Sequence, residues 1–137
     1  MTDKPVQLYG DNDDNTVRLR GRVSSAPVER ELPSGVTITT FRVTVPRART
    51  AMTAGSTQVS DWVDCVAWTG RIRRNVATWA VDDQVEVGGA LRRRFFRAGE
   101  GSSTRLELEV LFARRPRARA SPAKTRSDVS TGQAQAS

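Results

Sequence analysis

Residues 61–79 read DWVDCVAWTGRIRRNVATW. The first eight alternate, with Val63, Cys65 and Ala67 on one side and Trp62, Asp64, Val66 and Trp68 on the other. That period of two is the mark of a β-strand. Past Thr69 and Gly70 the period changes: Ile72, Val76 and Trp79 recur at intervals of four and three, the spacing of a helix. Trp79 is therefore expected to pack that helix onto the strands rather than to bind anything. A strand handing over to a lone helix is the feature from which the rest of the fold can be read.

Upstream, TVRLRGRV (16–23) sets Val17, Leu19 and Val23 against Arg18, Arg20 and Arg22. Gly21 falls on the apolar side, where a strand glycine marks a bulge or a close backbone approach. ELPSGVTITTFRVTV (31–45) is a turn followed by a second strand. The apolar phase of that strand moves from even (Val36, Ile38) to odd (Phe41, Val43, Val45), which predicts a β-bulge within it. PRARTAMTAGSTQ (46–58) is a basic loop. Downstream, QVEVGGALRRRFF (84–96) is a fourth strand, with Val85, Val87 and Leu91 facing one way and Glu86, Arg92, Arg94 and Phe96 the other. Phe95, of opposite parity to Phe96, is expected in the core. RAGEGSS is a hairpin turn, and TRLELEVLF (104–112) is a fifth strand with Leu106, Leu108, Val110 and Phe112 inward and Arg105, Glu107 and Glu109 outward.

Five strands with one helix between the third and fourth predict an all-β chain: the five-stranded Greek-key barrel of the OB-fold, closed with the help of the bulge. Residues 1–14 form an acidic leader and residues 114–137 a basic tail rich in small polar residues. Neither can bury enough apolar surface to offset its ordering entropy, so both are expected to be disordered around one folded domain at 15–113.

The chain carries 22 basic and 15 acidic residues, a net charge of +7, and 20 of the cations are arginine. The leader contributes −3, so the folded part is basic without its tail. A base-composition habit of the source genome is one reading of the arginine excess; the other is that guanidinium groups fork onto phosphate and stack on bases, which favours nucleic acid as a partner. Histidine is missing and Cys65 is the one cysteine. That removes the usual general base, the usual metal ligands and any intrachain disulfide. The acids Asp82–Asp83 and Glu107/Glu109 read as solvated turn and strand-face carboxylates. No catalysis, no cofactor and no metal are expected. No stretch is apolar enough to span a membrane, and the leader resembles no targeting signal, so the expected location is cytoplasmic.

Two tryptophans on one strand face are core about as often as not. Here the opposite face is the small apolar set Val63, Cys65 and Ala67, which suits a barrel interior, and Asp64 lies between the rings. Aspartate is rarely buried unpaired, so the Trp face points outward; Val66 on that face argues the other way. Phe96 shares its face with Arg92 and Arg94. A ring interleaved with arginines on a non-core face has the composition of a stacking platform beside a phosphate track.

Laid end to end, these motifs resemble the bacterial single-stranded DNA-binding protein (SSB) family. NTVRLRGRV is similar to that family's opening strand, ERELPSGVTITTFRVTV to its second-strand hairpin, DWVDCVAWTGRIRRNVATW to its third strand and helix, and DDQVEVGGALRRRFF to its fourth strand. The resemblance implies sequence-non-specific binding and protection of single-stranded DNA in replication, recombination or repair, by a homotetramer (or dimer) at the nucleoid. It also implies base stacking on Trp62, Trp68 and Phe96, with Arg92 and Arg94 on the phosphates. Arg47 and Arg49 occupy a loop where many members have another tryptophan, and would stack or bind phosphate in its place. Arg71, Arg73 and Arg74 open the helix and either contact phosphate or are simply solvated. Arg18, Arg20 and Arg22 face either DNA or a neighbouring subunit. The family's acidic C-terminal tip has no counterpart in the closing TGQAQAS, so recruitment of repair enzymes through such a tip is not expected. These departures suggest a specialised paralogue or a mobile-element version. The alternative reading is an OB-fold module that binds RNA or a protein partner instead.

Overall fold

The computed structural model describes residues 13–98 and 101–116. Six elements follow in chain order: β1 (Val17–Glu31), β2 (Thr37–Pro46), β3 (Ser60–Ala67), α1 (Gly70–Val76), β4 (Gln84–Ala98) and β5 (Gly101–Arg114). The strands close in the order β1-β2-β3-β5-β4 into a barrel. Only β3 and β5 pair in parallel; the other neighbours are antiparallel. The expected OB-type barrel with one helix between the third and fourth strands is thus the observed fold. The leader up to residue 12, the hairpin tip at 99–100 and the tail from 117 lie outside the described residues.

Alternation fills the barrel. Val23, Phe41, Val43, Cys65, Ala67, Val85, Val87, Leu108 and Val110 form one buried cluster with Val76 and Trp79. Thr69 starts α1 as its N-cap, its side chain accepting a hydrogen bond from the Ile72 N–H. Trp79 lies three residues beyond the helix end, yet it packs as its spacing predicts. Its ring meets Phe41 edge-on, with centroids 5.4 Å apart and planes at 84°. Gly21 is a close approach rather than a bulge: a Cβ there would sit 2.2 Å from the carbonyl oxygen of Thr44.

Four expectations change. The bulge predicted in the second strand is absent, because β2 keeps regular register with β3 from Thr39 to Pro46. The register shifts lie between Val23/Ser25 and Ser25/Val28, so the extra residues are in β1. Ile38 is buried all the same, outside the main cluster and on the face of Thr40 and Arg42. Phe95 is not core but 66% exposed, and Leu91 and Leu106 are also exposed. Their side of the β4–β5 hairpin has the inward parity, but the strands have run past the barrel and nothing among the described residues covers it. Phe112 is 43% exposed because a register shift between Gly88 and Gly89 adds one residue to β5. The inward phase passes to Ala113 instead. Finally, Glu107 and Glu86 are both buried, where a solvated strand face was expected for Glu107.

Candidate functional site

The outer face of β2, β3, β5 and β4 is built by register. Antiparallel pairing sets Thr44 opposite Trp62 and Arg42 opposite Asp64. The Arg42 Nε donates to Asp64 Oδ1 at 3.1 Å, and the guanidinium carbon lies 4.1 Å from the Trp62 ring centroid. The carboxylate steers the arginine, and the ring receives it by a cation–π contact. Across the barrel seam, Cys65 pairs with Leu108 and Val66 with Glu109 in parallel, which brings the Asp64 and Glu107 positions side by side. On the β4–β5 hairpin, Arg94 faces Arg105 and Arg92 faces Glu107. Arg94 Nε donates to Glu107 Oε1 at 2.6 Å, and Arg105 lies 3.8 Å from the same carboxylate. The Arg94 and Arg105 guanidinium carbons are 4.6 and 4.8 Å from the Phe96 centroid.

Between these two ring–arginine sets runs a groove of about 360 Å³, lined by Arg30, Arg42, Arg94 and Arg105 with Phe96, Thr40, Asp64 and Glu107. Four guanidiniums against two carboxylates leave it cationic. Trp62, 55% exposed, stands at its Arg42 edge, and Trp68, 39% exposed, has the same parity at the far end of β3. Six residues of strand separate the two rings by roughly 20 Å. Val66 between them is buried without turning the tryptophans inward.

The remaining expected residues are distributed elsewhere. Arg92 lies on the same outer face and donates to Glu109 Oε1 at 2.9 Å. Arg47 is held by Asp61 at 2.9 Å, and Asp61 alternates with Trp62, so this pair belongs to the opposite side of the strand. The Asp61 hydrogen bond raises the Arg47 pKa, keeping its charge engaged there. Arg49 is exposed in the loop between β2 and β3. Of the helix arginines, Arg73 lies 3.7 Å from Glu29, Arg71 sits beside Leu111 and Phe112, and Arg74 is exposed. None of these three lines the groove. Arg18, Arg20 and Arg114 converge instead on Glu86, where the Arg18 hydrogen bond above all holds the carboxyl below its usual pKa.

Sequence reasoning missed Arg30, Arg42, Arg105 and the role of Glu107. Arg105 pairs with Arg94 across the β4–β5 hairpin, a register that the RAGEGSS turn signal alone does not fix. Arg42 needed the β2–β3 register, which alternation within one strand does not supply.

A small closed barrel whose outer face pairs exposed rings with guanidiniums is a module suited to flat aromatic groups carried on a negatively charged backbone. The Single-strand binding protein family matches residues 14–115, and the chain belongs to that family. Its activity is the binding of single-stranded DNA, and its members are binding proteins rather than enzymes. Among solved structures, the fold is similar to that of a Plasmodium falciparum SSB in complex with ssDNA. That likeness has a TM-score of 0.57 and 21% identity over 74% of this chain and 90% of the other. It is also similar to a small single-stranded DNA-binding protein from Streptomyces coelicolor, with a TM-score of 0.53 and 22% identity over 73% and 92%. Both likenesses are of fold. No curated protein matches in sequence. No helix among the described residues is long and apolar enough to cross a membrane.

Proposed function

We propose that the protein binds single-stranded DNA without sequence preference, bases stacking on Trp62, Trp68 and Phe96 while Arg92, Arg42 and Arg30 neutralise phosphates and Arg94 and Arg105 flank the Phe96 ring. The observation that carries this reading is the groove lined by four guanidiniums and Phe96, with Trp62 against Arg42 at its edge. Stacking is worth about 1–3 kcal/mol per base and every base offers a π-face, so the preference is for single strands as such. The Plasmodium falciparum relative in fold was solved with ssDNA, which supports the same ligand here. The role that follows is protection of exposed strands in replication, recombination or repair, by a homotetramer or dimer acting at the nucleoid. The binding domain on this reading spans residues 15–113. Arg49, Arg71 and Arg74 are secondary phosphate contacts for a strand leaving the groove, and Arg47 and Arg73, which lie outside the groove lining, are held by Asp61 and Glu29.

The test is a titration of intrinsic tryptophan fluorescence with oligo-dT, repeated across salt concentrations and beside a duplex of equal length. Quenching by the single strand alone, weakening as salt rises through counterion release, is expected. Equal affinity for the duplex, or binding indifferent to salt, would overturn the reading.

A further inference from the structure

Glu107 is an acid in the lining of a cationic groove, and its side chain is 2% exposed. Its oxygens accept from Arg94 Nε at 2.6 Å and Arg94 Nη2 at 3.3 Å, and Arg105 Nη1 lies 3.8 Å away. Arg94 and Arg105 are direct cross-strand partners, an arrangement in which like charges repel. One carboxylate between them offsets that repulsion and gathers both cations onto one ring, with their guanidinium carbons under 5 Å from the Phe96 centroid. A guanidinium donates its hydrogen bonds in its own plane, so pairing with a carboxylate leaves its flat faces open. Both guanidiniums line the groove beside that ring.

We propose that Glu107 is a positioning residue for strand binding, holding Arg94 and Arg105 against Phe96 as a composite guanidinium–ring platform for a base, at the cost of keeping both cations from the phosphates. This rests on the single-stranded DNA reading above. It separates two roles for the same arginines. Engaged by Glu107 they stack, and stacking survives salt. Released from it they become mobile phosphate contacts, which salt screens.

The experiment measures oligo-dT affinity across a salt series for the wild-type chain and for Glu107→Gln, with folding verified by thermal melting. In the variant two freed arginines add phosphate contacts, so the log–log salt slope steepens by up to about 1.4, at about 0.7 per phosphate on a single strand. The variant binds several-fold tighter at low salt and several-fold weaker at high salt, and the two curves cross. A role confined to folding would instead weaken binding in parallel at every salt concentration, and parallel or coincident curves overturn the proposal. Should Glu107→Gln fail to fold, Arg105→Lys keeps the charge but removes the flat face. It is expected to match wild type at low salt and lose affinity several-fold at high salt, and wild-type affinity at both would overturn the proposal. A wild-type chain that does not bind single strands at all would sink the functional reading together with this inference, whereas parallel curves from a binding-competent chain sink the inference alone.

Discussion

Phe95 and Phe96 are neighbours in β4 on opposite faces of the hairpin, and alanine at each position separates packing from binding. Phe96 carries two guanidiniums against its ring at the groove. Losing it removes a base-stacking surface worth about 1–3 kcal/mol, a loss of roughly 5- to 150-fold in affinity, and also takes the support from under Arg94 and Arg105. Phe95 is 66% exposed on the other side, so Phe95→Ala is expected to leave binding unchanged. Its stability cost is bounded in the same way. A buried aromatic covers about 150–250 Å², the third of it that Phe95 covers amounts to roughly 50–80 Å², and at about 25 cal/mol per Å² the loss is no more than about 2 kcal/mol. Phe41, buried against Trp79, sets the contrast, with about 3–5 kcal/mol expected for Phe41→Ala. Anisotropy of a labelled oligo-dT gives the affinities and urea melts give the stabilities. The reasoning fails if Phe96→Ala binds like wild type, or if Phe95→Ala loses as much affinity as Phe96→Ala.

Three further outcomes follow from the geometry. Glu86 and Asp83 both titrate below their ordinary values of 4.5 and 3.8, because Arg18 hydrogen-bonds the first and the Ala80 N–H the second. The unfolded chain therefore takes up protons before the native one, so the stability they contribute is complete above about pH 5 and drains away as pH falls below it. Melting temperatures measured from pH 7 to pH 3 should show this decline, and Asp83→Asn should make it shallower. Burial, reinforced by Asp64 and Glu107, pushes the Cys65 thiol up to about 12, so a thiol reagent at pH 8 should label the native protein only as fast as it unfolds. Rapid labelling of folded protein would place Cys65 outside the barrel. A Cβ at Gly89 would lie 1.8 Å from the carbonyl oxygen of Glu109, whereas nothing lies within 4 Å of one at Gly55. Gly89→Ala should cost about 1–3 kcal/mol or more in denaturant melts and Gly55→Ala little, and equal effects would contradict the β4–β5 register.

Alternation tells which face of a strand a residue occupies, not whether anything covers that face. The barrel was legible because Val17 to Val23, Val63 to Ala67 and Leu106 to Val110 alternate cleanly, and because Ile72, Val76 and Trp79 break that period once. The outward turn of Trp62 and Trp68 was legible because Asp64 stands between them. Phe95 was misread because its side of the hairpin has inward parity but extends past the barrel. Phe112 was misread because one extra residue in β5 reverses parity midway, and nothing local to LEVLFA announces it. Arg47 lies in a loop, where no parity exists, so its pairing with Asp61 was not legible in the sequence. Glu107 looked solvated because Arg94, which hydrogen-bonds it, lies on another strand, and only the cross-strand register brings the two together.

Bound bases are expected to lie on the Trp62–Phe96 face. Photo-crosslinking of an iodo-deoxyuridine oligonucleotide, followed by mass-spectrometric mapping of the modified peptides, locates them. Crosslinks concentrated at Trp62 and Phe96, and lost with excess unlabelled single strand, are the expected result. Crosslinks confined to the Phe95 face of the hairpin, or to Leu111 and Phe112 beside α1, would contradict it.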